Sequence, residues 1–298
     1  MIRRVALAVL AAAALAGCAN VLRLAYNNVD YALRLMAHEY FDLRAEQADL
    51  FEVQVARLHE WHRREELPTY ARLFQGAAER VSRGLERDDV VWAMVEVRGR
   101  YRVLVAQAAD ESAPVLATLK PDNFAAIEKK FAEINTKFAR EYLTGDQAKR
   151  DRARTKWLEE RFELFMGDLT DAQRELISEF VRSQPRMSQM RFDDRKRRQQ
   201  EFVQLIEQYR GSAELSEQLR SFLVNWERGR GPEHAEFTRA WEDRLVTLIV
   251  ALDRTLTAEQ RRHVVARFES YAEDCRILAR QGLPPSDARA TVALEPSR

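Results

Sequence analysis

Apolar residues recur along most of this chain at alternating steps of three and four. Phe124, Ile127, Phe131, Ile134 and Phe138 form one such seam, with Glu128, Lys129, Lys130, Glu133 and Lys137 on the other faces. That spacing places the apolar positions on one stripe of a helix. Leu215, Leu219, Phe222 and Trp226 repeat the pattern, as do Phe237, Trp241, Leu245, Leu248 and Leu252. Further stripes run through Val29, Leu33, Met36 and Tyr40, through Leu43, Leu50, Leu58 and Trp61, and through Phe202, Leu205, Ile206 and Tyr209. The valine-rich stretch 90–105 has the composition of two short strands. Its spacing of Val90, Met94, Val97, Tyr101, Leu104 and Ala108 is helical, with Asp88 as N-cap. The pattern predicts an all-α fold, an antiparallel bundle of about eight to ten helices, either one elongated domain or two stacked bundles.

Helix starts are marked as clearly as helix faces. Thr170-Asp-Ala-Gln173 and Thr257-Ala-Glu-Gln260 have the S/T-x-x-E/Q spacing of a capping box, in which two side chains satisfy free backbone N–H groups reciprocally. Both lie in a longer Leu-Thr-x-x-Gln-Arg phrase, at 169–174 and 256–261. Weaker echoes are Leu43-Arg-Ala-Glu-Gln47 and Leu119-Lys-Pro-Asp-Asn123. The four are unevenly spaced, so they are not a solenoid repeat. Pro68 and Pro121 suit the first turn of a helix.

The first residues depart from this pattern. Arg3 and Arg4 precede a continuous apolar run, Val5 to Ala14, which is too short to span a bilayer as a helix. It has the layout of a secretory signal over residues 1–17. Leu15-Ala16-Gly17-Cys18 resembles the lipobox of bacterial lipoproteins. The resemblance implies acylation of Cys18, which becomes the new N-terminus, and stable membrane anchoring through more than one acyl chain. Ala19 after the cysteine, rather than aspartate, resembles the outer-membrane sorting pattern. Residues 18–281 are then expected to form the helical domain, and 282–298 a disordered tail.

Composition limits what the domain can do. Of 298 residues, 46% are hydrophobic and 32% charged, with 10 Gly and 8 Pro, which suits a helical core and not a turn-rich β fold. Without Arg3 and Arg4, 46 basic residues face 47 acidic ones, so no cationic surplus for nucleic-acid binding exists. Residues 186–198 are a local exception. Arg195, Lys196, Arg197 and Arg198 are candidates either for a solvated helix face or for contact with anionic groups such as the phosphates of lipopolysaccharide. Cys275 has no partner for an intramolecular bridge once Cys18 is acylated, and reads as a small buried hydrophobe.

Catalytic signatures are missing. The histidines His38, His59, His62, His234 and His263 include no Glu-x-x-His or His-Glu-x-x-His pattern. No nucleophile elbow, phosphate-cradling glycine loop or dinucleotide fingerprint is present. The sequence therefore nominates no catalytic residue, metal ligand or cofactor. Its densest unusual segment is Leu58-His-Glu-Trp-His-Arg-Arg-Glu-Glu-Leu-Pro-Thr-Tyr70. Trp61, His62, Arg63, Arg64 and Tyr70 read either as a helix–helix corner or as a partner-binding surface, since Trp, Tyr and Arg dominate binding hot spots.

Several phrases together resemble an uncharacterised family of Gram-negative lipoproteins that carries a domain of unknown function. They are the lipobox at Cys18, Tyr26-Asn27-Asn28, the segment from Trp61 to Pro68 with Tyr70, the stretch Asn135…Glu141-Tyr142-Leu143, and Gly167-x-Leu169-Thr170-x-x-Gln173-Arg174. The resemblance spans about 20–280 and implies no activity. The Leu-Thr-x-x-Gln phrases are also similar to those of small helical periplasmic stress chaperones. The expectation is an outer-membrane-anchored, periplasm-facing lipoprotein without enzymatic activity. Its domain would bind an envelope protein, as a chaperone-like holder or as an assembly subunit, with a cell-envelope hydrolase as the third reading.

Overall fold

A computed structural model describes residues 19–281. The expected signal segment 1–17, Cys18 and the expected tail 282–298 lie outside the described residues. The chain is 85% helical and has no strand among the described residues, as the 3–4 periodicity predicts. Twelve α-helices follow in order: α1 (Ala19–Asn27), α2 (Val29–Phe41), α3 (Ala45–Trp61), α4 (Leu67–Ser82), α5 (Arg87–Leu116), α6 (Pro121–Tyr142), α7 (Gln147–Met166), α8 (Asp171–Arg182), α9 (Met187–Tyr209), α10 (Leu215–Val224), α11 (Pro232–Arg254) and α12 (Ala258–Gln281). A π-helical turn, His62–Glu66, joins α3 to α4 without a corner.

The helices gather around two cores. One forms where α2, α5, α6, α9 and α10 meet, with Ala109, Ile127, Ile206 and Leu219 at its centre. The other joins α7, α8, α11 and α12 to the end of α4 around Val81, Ile177, Val181, Leu252 and Val264. A small third cluster, Leu67, Ala71, Cys275 and Leu278, lies where α4 runs along α12. The valine-rich stretch is part of α5, a single helix of 30 residues. Its start departs by a little from expectation. The helix begins at Arg87, and the free N–H of Glu86 is taken by Asp89 Oδ2 at 3.0 Å rather than capped by Asp88.

The four look-alike helix starts meet in pairs. Gln173 Oε1 accepts the Thr170 N–H at 2.9 Å, and the Thr170 hydroxyl accepts the Gln173 N–H at 3.3 Å. Gln260 and Thr257 do the same at 3.1 Å each. The two amides then bond to each other, Gln173 Nε2 to Gln260 Oε1 at 2.9 Å and Gln260 Nε2 to Gln173 Oε1 at 3.1 Å. Each nitrogen also donates to the turn before the other helix, Gln173 to the Thr255 carbonyl and Gln260 to the Asp168 carbonyl.

The weaker echoes build a second joint of the same design. Gln47 Oε1 accepts the Arg44 N–H and Asn123 Oδ1 the Lys120 N–H. Gln47 Nε2 donates to Thr118 O at 2.8 Å and to Asn123 Oδ1 at 3.2 Å. Asn123 Nδ2 donates to the carbonyls of Phe41 and Asp42. That grip holds Asp42 in a left-handed conformation (φ 47°), which ends α2 and which an aspartate tolerates better than most residues. All four amides are buried. Each oxygen caps its own helix and each nitrogen closes the neighbouring turn, so a buried polar group is fully paired where an apolar one would leave backbone donors orphaned.

Removing one member leaves several buried groups without partners, each costing about 1–3 kcal/mol. Gln173→Met is therefore expected to destabilise the fold by about 3 kcal/mol and to lower Tm by roughly 6–10 °C. Thermal melts followed by circular dichroism check this. Gln173→Met/Gln260→Met should cost clearly less than the two single changes added together; strict additivity contradicts the joint.

Candidate functional site

The Trp-His-Arg segment occupies the π turn and the residues beside it. Pro68 is the second residue of α4 and has no N–H, so an unbroken α-helix through this point would strand a carbonyl against the proline ring. The chain widens instead, with the Leu67 N–H donating to the His62 carbonyl five residues back. The predicted corner is thus a continuous rod with one wide turn.

This turn grips α1. The Tyr26 hydroxyl lies 2.8 Å from His62 Nδ1, and Arg63 donates to Asn27 Oδ1 at 2.9 Å and to the Leu278 carbonyl at 3.1 Å. Asn27 donates to Gln281, and Arg23 meets the buried Asp274 carboxylate at 3.1 Å. The Arg63 guanidinium lies over the Tyr26 ring, and the His59 and Tyr70 rings meet Tyr26 and His62 edge-on. Three distant parts of the chain, α1, the π turn and the end of α12, are tied at one place. His62, Arg63 and Tyr70 are half-buried there and serve this joint, and Trp61 is half-buried beside His62. Arg64 faces solvent, beside Glu65 at 3.1 Å and Glu60. The segment docks α1 through His62, Arg63 and Tyr70, and it presents Arg64 and part of Trp61 to solvent. Sequence reasoning missed the joint's other half, Arg23, Tyr26, Asn27 and Asp274, although Tyr26-Asn27 had already stood out as a phrase.

Burial governs the chemistry of the joint. It keeps His62 neutral, with its pKa lowered to about 4, helped by the neighbouring His59 and Arg63, and it lowers His59 as well. It raises the Tyr26 and Tyr70 hydroxyls, and pushes the Cys275 thiol up to about 11. A thiol held that high is a poor nucleophile and a packing residue. Next along the rod, the Glu66 carboxylate is buried and bonded to Arg100 at 3.2 Å, while its second oxygen has no partner among the described residues.

The basic stretch is divided among three surroundings. Arg197 is held by Asp194 and Glu201, both at 2.6 Å, and by the Arg228 carbonyl. Arg198 donates to the carbonyls of Trp226 and Phe222 and lies over the Phe222 ring. Lys196 is exposed beside Phe192. Arg195 faces the opposite way, over the Phe138 ring at 4.4 Å. The four therefore do not form one cationic patch. Arg195 and Arg198 reach different neighbours, the Phe138 ring and the turn after α10, while two carboxylates on the same helix and the Arg228 carbonyl in the loop before α11 take up Arg197.

Arg195 looks into a cleft of about 610 Å³. The cleft lies between the two cores, walled by α2, α6, α7, α8, α9 and α11. Its walls are aromatic, with Tyr40, Phe138, Trp157, Phe180 and Trp241, and cationic, with Lys130, Lys137, Arg154 and Arg191. Apolar stripes in the sequence reveal Tyr40, Phe138 and Trp241, but not that six helices bring these residues together. Among the described residues, no three His, Cys, Asp or Glu side chains gather as a metal-holding group.

The neutral His62 gives the joint a pH dependence. Its pKa is lowered to about 4 in the fold against about 6.5 in the unfolded chain, so the unfolded chain binds more protons between those values. Stability from this group is complete above about pH 6.5 and is lost as pH falls toward 4. The raised carboxyls of Asp274 and Glu66 act in the opposite direction. His62→Gln, which keeps an acceptor for Tyr26, isolates the histidine. The wild-type Tm is expected to fall between pH 7.5 and 5 by about 4 °C more than that of the variant. Parallel curves in a pH series of thermal melts would contradict the assignment.

Comparison with curated proteins and with solved structures gives no match. A model of one family does match, over residues 39–234, which contain the π turn, both halves of the Gln47–Asn123 joint, Gln173 and the basic stretch. On that match the chain belongs to a family of unknown function, DUF6279.

Proposed function

We propose that this protein is a lipid-anchored protein of the cell envelope whose helical body binds a protein partner and catalyses no reaction. In this reading residues 1–17 direct export, Cys18 carries the acyl chains, and the domain faces the periplasm from the outer membrane. No helix among the described residues is long and apolar enough to cross a membrane, so attachment rests on the lipid. The docking of α1 by Arg23, Tyr26 and Asn27 supports the anchor, because α1 begins at Ala19 and a tether there leads straight into the folded body.

The observation that carries partner binding is the middle of α5. Val91, Val95, Val97, Tyr101 and Val103 lie within thirteen residues and are each 37–59% exposed. Val97 and Tyr101 belong to the seam expected to be buried, yet both stay exposed, Tyr101 edge-on to Trp226. Single exposed apolar residues are ordinary, but Val91 and Val95 on one side and Val97 and Tyr101 on the next cover about half the circumference of α5, an apolar strip of the kind that marks binding sites. β-Branched side chains on a rigid helix lose little freedom when covered. Promiscuous holders use flexible, Met-rich or loop-rich surfaces instead. The surface thus favours one folded partner, the assembly-subunit reading, over a set of unfolded clients. The Leu-Thr-x-x-Gln phrases, which suggested a chaperone, are accounted for as buried joints.

The test is a photo-reactive residue at Val91, one turn from Val95 on the same face, in intact cells, read as covalent adducts. One discrete adduct is expected, reduced at least tenfold by Val95→Glu with the amount of folded protein unchanged, since exposed substitutions shift stability by about 0.5 kcal/mol or less. A diffuse ladder of adducts would restore the holdase reading. No adduct, or one indifferent to Val95→Glu, would remove partner binding at α5. Radiolabelled palmitate should enter the wild-type protein but not Cys18→Ala, and incorporation into that variant would refute the anchor.

A further inference from the structure

The cleft between the two cores differs from the rest of the surface in how its charges are balanced. Glu39 is its only lining carboxylate, and Lys130 already pairs with it and with Glu133. Arg154 is held by the Gln184 carbonyl at 2.7 Å and by Asp151 at 3.6 Å. Arg195 lies over the Phe138 ring and is engaged there. That leaves Lys137 and Arg191, which form no ion pair among the described residues, and Arg191 forms no hydrogen bond there either. Elsewhere the arginines of this protein are mostly tied. Arg63, Arg197, Arg198 and Arg261 each hold two or more partners, and Arg230 bonds Asp194 twice.

Arg191 is exposed at the cleft's edge, with nearby protein lowering its pKa and Tyr142 as the neighbour that favours its charge. An exposed guanidinium at the edge of an apolar cleft, without a carboxylate partner, presents its planar donor fork to an incoming anion. Around it the cleft is apolar. Phe138, Trp157, Phe180 and Trp241 form its walls, with Met36, Ile134 and Leu245 between them. Its volume of about 610 Å³ lies inside the ~300–1,000 Å³ range of small-molecule sites, which are mostly apolar with a few fixed polar groups.

We infer that this cleft binds an anionic amphiphile, an apolar chain or ring system carrying one carboxylate or phosphate, with the head on Arg191 and Lys137 and the apolar body between Trp157 and Trp241. An inorganic anion alone would leave the aromatic walls wet, and an uncharged hydrocarbon would cover the lining cations without giving them a counter-charge. Only a ligand with both parts answers both features. The site lies apart from the α5 surface and does not rest on partner binding there.

Isothermal titration of the full chain in discs of zwitterionic phospholipid tests this, with empty discs as the blank. The probes are octyl phosphate, octanoate, octanol and inorganic phosphate, all below their aggregation limits. Saturable binding of one equivalent of octyl phosphate or octanoate is expected, at least tenfold tighter than octanol and inorganic phosphate. Preference between the two acids tells a phosphate head from a carboxylate head. Arg191→Gln should weaken the acid by about tenfold and leave octanol unchanged, and Lys137→Gln should weaken it by less. Neither residue has an ion-pair partner to lose, so both variants should melt with the wild type. Equal affinity for octanol makes the cleft a purely apolar groove, and equal affinity for inorganic phosphate makes it an adventitious anion site. Either result overturns the inference, as does no binding or an Arg191→Gln variant that binds like the wild type.

Discussion

Four buried side-chain amides hold this fold together. An α-helical bundle of this size must end and restart its chain many times, and each restart leaves backbone N–H groups that cannot be buried unpaired. Here four of those restarts are brought inside and matched two by two, Gln47 with Asn123 and Gln173 with Gln260. Because each amide closes its own helix and the turn before its partner, the angle between paired hairpins is fixed by hydrogen bonds as well as by apolar fit. The two cores can then be modest. Each forms around one such joint, and the cleft is the space left between them.

Much of this was legible in the sequence. The 3–4 spacing of apolar residues gave most of the long helices, including α5, where valine content alone pointed to strands, but no stripe announced α7. The Thr-x-x-Gln phrases gave two helix starts to the residue, since a capping box is a local device that needs only neighbouring residues. Their pairing was not legible, because nothing local says that Gln173 meets Gln260 across 87 residues. The same limit explains Val97 and Tyr101. Periodicity shows which residues share a face, but only the other helices decide whether that face is covered.

The candidate site divided in the same way. Unusual composition drew attention correctly to Trp61–Tyr70, but Trp, His and Arg serve equally well to bind a partner or to tie three helices of one chain. The choice depended on Tyr26, Asn27 and Leu278, brought there by the fold. In the basic stretch, charge was visible and its distribution around α9 was not. Arg197 and Arg198 turn toward carboxylates and carbonyls, whereas Arg191 and Arg195 turn toward the aromatic cleft. Family membership carries no activity with it, so the chemical reading rests on these side chains alone.

The π turn at His62–Glu66 acts as a gear within one rod. It places five residues where an α-helix closes its bond over four, so everything after it is rotated by about 100° from where an unbroken helix would put it. That rotation lets α3 direct Leu50 and Phe51 into the first core, while α4, on the same axis, directs Ala71, Phe74 and Val81 toward α12 and the second. The two halves of the molecule therefore share a drive shaft whose phase is set by a single residue. A lineage that gained or lost one residue here would keep its composition, its helices and both amide joints, and would find α4 facing the wrong way.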